Sequence, residues 1–349
     1  MAKILVIRFS AIGDVAMTIP VIYSLARQYP QDEITVLSSA RLGPLFQKLP
    51  ANVSFVGADL KGENEGLGGL RRLYRLLKAM DFDYVADFHG VLRSKYLSLR
   101  LLFSVVKTAT IHKGRKGKSK LVRRHNKVMV AQKSSFQRYA DVLARIGFPV
   151  SLEFTSIYDS GKGDFTEIAS IVGLKEDQKW IGIAPFAKHK GKIYPVELQE
   201  QVVAHFSTQP GVKVFLFGGG KYEQEVFDSW IAKYPSVVSM IGKLDIGMEL
   251  NLISHLDVML SMDSANMHLA SLVNTPVVSI WGATHPYAGF MGWKQLPSNT
   301  IQLDLACRPC SVFGQEPCWR KDYACLWGIT PKQVISKIEQ VLNAEKQID

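Results

Sequence analysis

A chain of 349 residues, 47% hydrophobic and 21% charged, has the composition of a globular protein of about two domains, which excludes a disordered chain, a collagen and a coiled coil. No run of about 18 uncharged apolar residues offers a membrane span. The formal net charge of +11 is concentrated: residues 88–140 hold 14 Lys and Arg and no acid, leaving 28 basic against 31 acidic residues elsewhere. Such a local positive field points to an anionic partner.

In chain order, Met1–Asp14 reads as a strand (Lys3–Phe9) and a turn. It lacks the small-residue cleavage site of a signal peptide, so a cytoplasmic location is expected. Helical spacing follows over Ile19–Gln28, then short strands at Glu33–Leu37 and Val53–Val56. An amphipathic Arg- and Leu-rich helix spans Leu70–Met80, with a strand at Tyr84–Phe88. The glycine pair around Lys113–Lys120 predicts a loop, and Ser135–Ile146 reads as a helix ending at Gly147. Residues 151–178 read as a linker, with no long periodic element until Phe165–Val172. The alternation then restarts, with strands at Trp180–Ala184, Val212–Phe217, Val237–Ile241, Asp257–Ser261 and Pro276–Trp281. Helices at Val196–Phe206, Gln224–Lys233, Gly247–His255 and Met267–Leu272 lie between them, and Pro331–Asn343 closes the chain. Short apolar strands alternating with helices predict parallel sheets in an α/β fold. The loops after the strands are where ligands are expected.

Five segments carry candidate chemistry. Ser10-Ala11-Ile12-Gly13-Asp14 follows the first strand without the G-x-G-x-x-G of a dinucleotide site. Asp14 reads either as a helix N-cap or as a general base taking a proton from a hydroxyl nucleophile. Pro185–Pro195 sets Lys188, His189, Lys190 and Lys192 around Gly191. Such a loop can meet a diphosphate or simply be a solvated basic loop, and Pro195 suits a helix N1 position. Gly218, Gly219 and Gly220 after an apolar strand allow close backbone approach. Glu223 beyond them could hold ribose hydroxyls or favour the helix dipole. Met262–His268 places Asp263 and Ser264 as caps at a helix start, a ready anion site, while His268 alone reads as a core histidine. Finally, Cys307, Cys310, Cys318 and Cys325 lie within 19 residues. Four thiolates could close a zinc site, but the spacing is not that of a zinc ribbon, and reduced thiols packing a loop are the favoured reading. The D-x-D at Asp81–Asp83 precedes its strand and belongs to the wrong end of the sheet.

The order S-x-x-G-D, K-x-[WY]-P, F-G-G…E, D-S-x-x-x-H-L-A, T-P-V-V and W-G-A-T resembles the lipopolysaccharide heptosyltransferases of glycosyltransferase family 9. So do the cysteine-rich segment and Asp87–Ser94, which is similar to the family's D-x-x-G-x-x-[KR]-S. The resemblance implies a GT-B fold, two Rossmann-like doubly wound domains facing across a cleft. Residues 1–160 would bind the acceptor and 175–328 the nucleotide sugar, with 329–349 a helix packing back toward the first domain. It implies an inverting, metal-independent transfer of heptose from ADP-heptose, or another nucleotide sugar, to a lipopolysaccharide core, with no cofactor. Asp14 would be the base and Lys192 would stabilise the leaving diphosphate. Lys188, Gly218, Gly219, Glu223 and the run Asp263, Ser264, Ala265, Asn266, Met267, His268 would hold the donor. Ser10, Gly13, His89, Arg93, Lys95, Arg123 and Arg124 would meet the acceptor.

Three residues depart from the family pattern: Ala265 for Gly, Tyr194 for Trp and Ala283 for Pro. They leave the identity of the donor open. The alternatives are a family-9 enzyme with another donor and a sugar-nucleotide epimerase, which would leave the basic segment without a purpose. A nucleic-acid-binding protein using residues 88–140 is a third, but that stretch has few aromatics and no RNA-binding motif. The expected partners are therefore an acidic glycolipid and the anionic inner-membrane surface, met peripherally from the cytoplasm by Lys113–Lys120, Arg123 and Arg124, and no nucleic acid.

Overall fold

The computed structural model describes residues 1–104, 107–159 and 161–344. The chain divides into two compact units. One comprises Met1–Lys113 with Lys133–Ile157, the other Gly114–Gln132 with Tyr158–Asp349.

The first unit is built on β1 (Lys3–Ile7), β2 (Glu33–Ser39), β3 (Val53–Ala58), β4 (Tyr84–Asp87) and β5 (Lys107–Thr110), all parallel, in the order β3-β2-β1-β4-β5. Ile4 to Ile7 are fully buried, as expected of a central strand covered on both faces. The helices are α1 (Ile12–Ala16), α2 (Ile19–Gln28), α3 (Gly66–Ala79) and α4 (Leu92–Leu102), then, after an excursion, α6 (Ser135–Ile146). Ser134 starts α6 with a reciprocal cap: its hydroxyl accepts the Gln137 N–H at 3.2 Å, and the Gln137 side chain accepts the Ser134 N–H at 2.9 Å. Gly147, at φ +109°, ends it. Leu73 and Leu77 of α3 and Leu97 and Leu101 of α4 pack with Leu5, Ile7 and Val85 of the sheet.

The excursion is α5 (Arg115–Leu121), which packs with the second unit. Sequence patterning assigns Lys113–Lys120 to a loop. Instead Gly114, at φ +64°, turns the chain into a helix. Lys118 is buried with its ammonium 3.9 Å from the centre of the Phe290 ring, and Gly117 lies directly against the side-chain amide of Gln132. The basic segment is thus shared between the units rather than lying wholly in the first.

The second unit holds β6 (Lys179–Ala184), β7 (Val212–Leu216), β8 (Val237–Ser239), β9 (Val258–Met262), β10 (Val277–Ile280) and β11 (Thr300–Ile301). They are parallel, in the order β11-β10-β9-β6-β7-β8. Around them lie α7 (Thr166–Val172), α8 (Val196–Ser207), α9 (Lys221–Ile231), α10 (Ile246–Ser254), α11 (Ala265–Leu272), α12 (Ala324–Trp327) and α13 (Pro331–Ala344). Helix α7 coincides with the periodic element Phe165–Val172 within the linker stretch. Pro195 is the N-cap of α8, one position before the N1 site the sequence suggests. The resemblance implies a final helix that packs back toward the first domain. Its apolar face, Val334, Ile338, Val341 and Leu342, is buried in the second unit's own core, against residues such as Val202, Phe206 and Leu260. Residues 345–349 of that expected segment lie outside the described residues. Among the described residues, no helix is long and apolar enough to cross a membrane.

In both sheets the strand order reverses between two adjacent parallel strands, β1 and β4 in the first and β6 and β9 in the second. The crevice beyond the carboxyl ends at such a reversal is where doubly wound sheets bind ligands.

Candidate functional site

In the first unit the loops after β1 and β4 meet at the reversal. Asp14 is not the N-cap of α1. That position is Ala11, and Asp14 is the third helical residue, its carboxylate accepting the Ala11 N–H at 3.3 Å. Arg8, just past β1, places one guanidinium nitrogen 2.7 Å from Asp14 Oδ2 and donates with another to the Phe88 carbonyl at 2.9 Å. Burial opposes the Arg8 charge, but the fields of Tyr139 and Asp14 and the hydrogen bond to Asp14 outweigh it and hold the guanidinium above its usual range. The Tyr139 hydroxyl donates to the Asp14 carbonyl at 3.3 Å.

After β4, fully buried Asp87 organises the turn. Its Oδ1 accepts the N–H groups of His89 and Gly90 at 2.9 and 2.8 Å, and its Oδ2 accepts the Ser94 hydroxyl at 3.0 Å. This presents His89 beside Arg8 and Asp14. Its Nδ1 accepts the Phe9 N–H at 3.4 Å. Burial first, then the fields of Arg8 and Lys113, push the imidazole pKa down to about 3. The ring is therefore neutral, with Nδ1 engaged and its hydrogen on Nε2. Arg93 also acts on this ring. Ser10 and Lys95 are exposed.

In the second unit the loops after β6 and β9 meet at the other reversal. Lys192 Nζ lies 3.1 Å from Asp263 Oδ2, and both groups are largely buried. Two glycines shape the approach. A side chain at Gly191 would strike the Gly314 carbonyl and Ala283, and one at Gly314 (φ +79°) would strike the Lys192 stem at 2.5 Å. Ser264 is the N-cap of α11, but its hydroxyl pairs with Ser261 at 3.1 Å and makes no cap bond. The amides of Ala265, Asn266 and Met267 open that helix, and His268 is buried one turn in. Gly219 N–H donates to Glu223 Oε2 at 2.7 Å. Burial nevertheless raises the Glu223 pKa above the usual carboxylate range. Lys188 is exposed. Beside this loop, Phe186, Lys190, Tyr222, Tyr323 and Trp327 line a cavity of about 360 Å³.

The proposed acceptor residues are not all together. Arg123 and Arg124 belong to the second unit, where Arg124 lies 4.3 Å over the Trp319 ring. Lys127 of the same segment donates to the Cys307 and Pro309 carbonyls at 2.8 and 2.7 Å. Several of the clustered cations therefore serve internal packing. The four cysteines are free thiols. Among the described residues, no three His, Cys, Asp or Glu side chains are arranged to hold a metal ion. Burial raises the Cys310 thiol and pushes Cys325 up to about 12.

Three contributors escaped the sequence reading: Arg8, Gly314 and Arg308. Arg308 is buried and donates to the carbonyls of Gly282 (2.5 Å), Trp281 (2.9 Å), Thr284 (3.0 Å) and Leu303, fixing the W-G-A-T loop to the cysteine-rich segment. A cation ending an apolar strand was the available signal for Arg8.

Two solved structures share the architecture. One is a family 9 glycosyltransferase from Veillonella parvula (TM-score 0.74, 20% identity, 98% of each chain). The other is the ADP-heptose lipopolysaccharide heptosyltransferase II of Escherichia coli (TM-score 0.72, 19% identity, 99% of each chain). The fold they share with this chain is the GT-B fold. In sequence, the lipooligosaccharide heptosyltransferase 2 of Campylobacter jejuni is 22% identical over 335 residues, 95% of this chain and 96% of that protein. Residues 70–316 match the model of glycosyltransferase family 9 (heptosyltransferase), and the chain belongs to that family; it is a glycosyltransferase.

Proposed function

We propose that this enzyme transfers heptose from ADP-heptose to an acidic lipopolysaccharide-core glycolipid, with inversion and without a catalytic metal, at the cytoplasmic face of the inner membrane. In this reading an acceptor hydroxyl attacks the anomeric carbon, its proton passes to Asp14, and the bond from that carbon to the diphosphate breaks, releasing ADP. Neutral His89, through Nε2–H, and Arg93 orient the acceptor beside the base. Lys192 and the first amides of α11 neutralise the charge that develops on the diphosphate, the kind of preorganised electrostatics that dominates many enzymatic rate enhancements. Glu223 holds the ribose, with Gly218 and Gly219 allowing its approach.

The observation that carries the reading is the Lys192–Asp263 pair at the reversal of the second sheet. It sets a cation, fixed by a buried carboxylate, beside an open helix N-terminus. The family match and the fold shared with the E. coli ADP-heptose lipopolysaccharide heptosyltransferase II support the donor.

The direct test incubates the protein with ADP-heptose and a heptose-free core glycolipid and follows the product mass and its anomeric configuration. Transfer that persists in chelator and disappears in Asp14→Asn supports the proposal, and transfer that survives Asp14→Asn removes the base. Ala265, at the first position of α11, favours one alternative: a family 9 enzyme with another donor. Thermal shift with ADP, UDP and GDP separates the two, because only a bound nucleotide raises the midpoint.

A further inference from the structure

We propose that α3 and α4, packed side by side on one face of the first unit, form a docking surface for an anionic lipid bilayer. Each helix buries one leucine face in the core: Leu70, Leu73 and Leu77 on α3, Leu97 and Leu101 on α4. Each also turns large apolar groups outward. Leu67 and Leu76 are exposed on α3. Leu92 (88% exposed), Leu99, Leu102 and, just past the helix end, Phe103 (80%) are exposed on and beside α4. Positions 92, 99, 102 and 103 fall on one helical stripe.

Arginines and lysines surround these groups. Arg71, Arg72, Arg75 and Lys78 are exposed on α3, and Arg93, Lys95 and Arg100 on α4. Neither helix contains an acid. Among the described residues, none of the seven cations pairs with a carboxylate. Arg100 instead covers the Tyr74 ring at 4.7 Å, tying the helices together.

Charge complementarity selects the occupant. Exposed leucines set among cations that no carboxylate neutralises match an interface with acyl chains beneath a sheet of phosphates, where the apolar groups enter the boundary and the cations meet the headgroups. Helix α4 begins directly behind the Asp87–Val91 turn, to which Ser94 anchors it. A bilayer on this face would therefore lie next to His89. That advantage rests on the proposed glycolipid acceptor; the lipid binding itself does not.

The test sediments the full-length protein with phosphatidylglycerol-rich vesicles and, separately, with phosphatidylcholine vesicles. Three variants accompany it: Arg71→Glu with Arg75→Glu, Leu99→Ser with Phe103→Ser, and Lys116→Glu with Lys120→Glu in α5. Circular dichroism verifies that each is folded. The wild type should bind the anionic vesicles and be released by high salt. The arginine pair should lose at least about tenfold in partitioning, since each cation near such a surface contributes roughly fivefold. The Leu99/Phe103 pair should also lose affinity, and the α5 pair should stay within about twofold. Equal binding to both vesicles, or equal loss from the α5 pair, overturns the assignment. So does a dimer in solution that Leu99→Ser with Phe103→Ser dissolves while vesicle binding is absent. If no variant transfers sugar but vesicle binding behaves as stated, it is the heptosyl reading that has failed, not the docking surface.

Discussion

The guanidinium of Arg8 meets the carboxylate of Asp14 at 2.7 Å while holding the Phe88 carbonyl at 2.9 Å. One side chain thus fixes the candidate base against the loop that carries His89. Lysine offers a single nitrogen and cannot reproduce that fork. Arg8→Lys is expected to lower kcat by about tenfold to a hundredfold, with little change in the donor KM, because a misplaced base slows the proton-transfer step. Asp14→Asn should cost ~10²–10⁴ in kcat. Steady-state kinetics with saturating donor checks both. Equal loss in donor KM and kcat for Arg8→Lys would mean a global rather than a positioning effect.

Lys192 and Asp263 should behave as a coupled pair. Removing either leaves a buried charge alone, so Lys192→Met and Asp263→Asn should each destabilise the protein, and the double variant should cost less than the sum. An interaction energy of about 1–3 kcal/mol is expected from thermal or denaturant unfolding. Calorimetric titration with ADP should show weaker binding in Lys192→Met.

Gly314 is expected to be intolerant of substitution. Gly314→Ala adds a methyl against the Lys192 stem at a left-handed backbone position. The strain should cost about 1–3 kcal/mol. Differential scanning fluorimetry reads the stability, and the ADP titration reads the displaced ammonium.

Glu249, beside Asp245 at the start of α10, has its pKa pushed up to about 7, first by burial and then by Asp245. The unfolded chain ionises it near 4.5, so folding carries a penalty that is absent below that pH, grows between the two values and is complete above about 7. Glu249→Gln removes it. The variant should melt about 2–4 °C higher than wild type at about pH 8 and show no gain at about pH 4. A gain of equal size at both pH values would refute the assignment.

Arg308 serves four carbonyls with a planar fork. Arg308→Ala leaves those buried carbonyls without their donor and should lower stability by roughly 2–4 kcal/mol, and Arg308→Lys should recover little of it. Thermal unfolding and limited proteolysis within residues 303–323 are the readouts.

Much of the scaffold was legible because its strands are short, apolar and separated by clear helical spacing. Ile19–Gln28 and Ser135–Ile146 appear with the expected bounds. Helix α4 escaped because its leucines and arginines fall on every side and blur the period. Strand β5, Lys-Thr-Ala-Thr, is a short polar edge. Helix α5 was obscured by two glycines. At the site, loop positions could be read from motif order, whereas contacts between distant residues could not. Nothing near Asp14 in sequence reveals that Phe88 shares its arginine, and Gly314 stands 122 positions from the lysine it accommodates.

The two sheets follow the same strand order around their reversal points, and each carries one cation–carboxylate pair there. The pairs are oriented oppositely. In the first unit the arginine is the hidden member (9% exposed) and the aspartate the outward one (36%); in the second the aspartate is hidden (5%) and the lysine is the more open (15%). In the proposed reaction, one architectural position used twice would display a proton acceptor in one half of the chain and a positive counter-charge in the other. On that reading, which member of the pair is the more open one distinguishes the half that would activate the nucleophile from the half that would receive the leaving group.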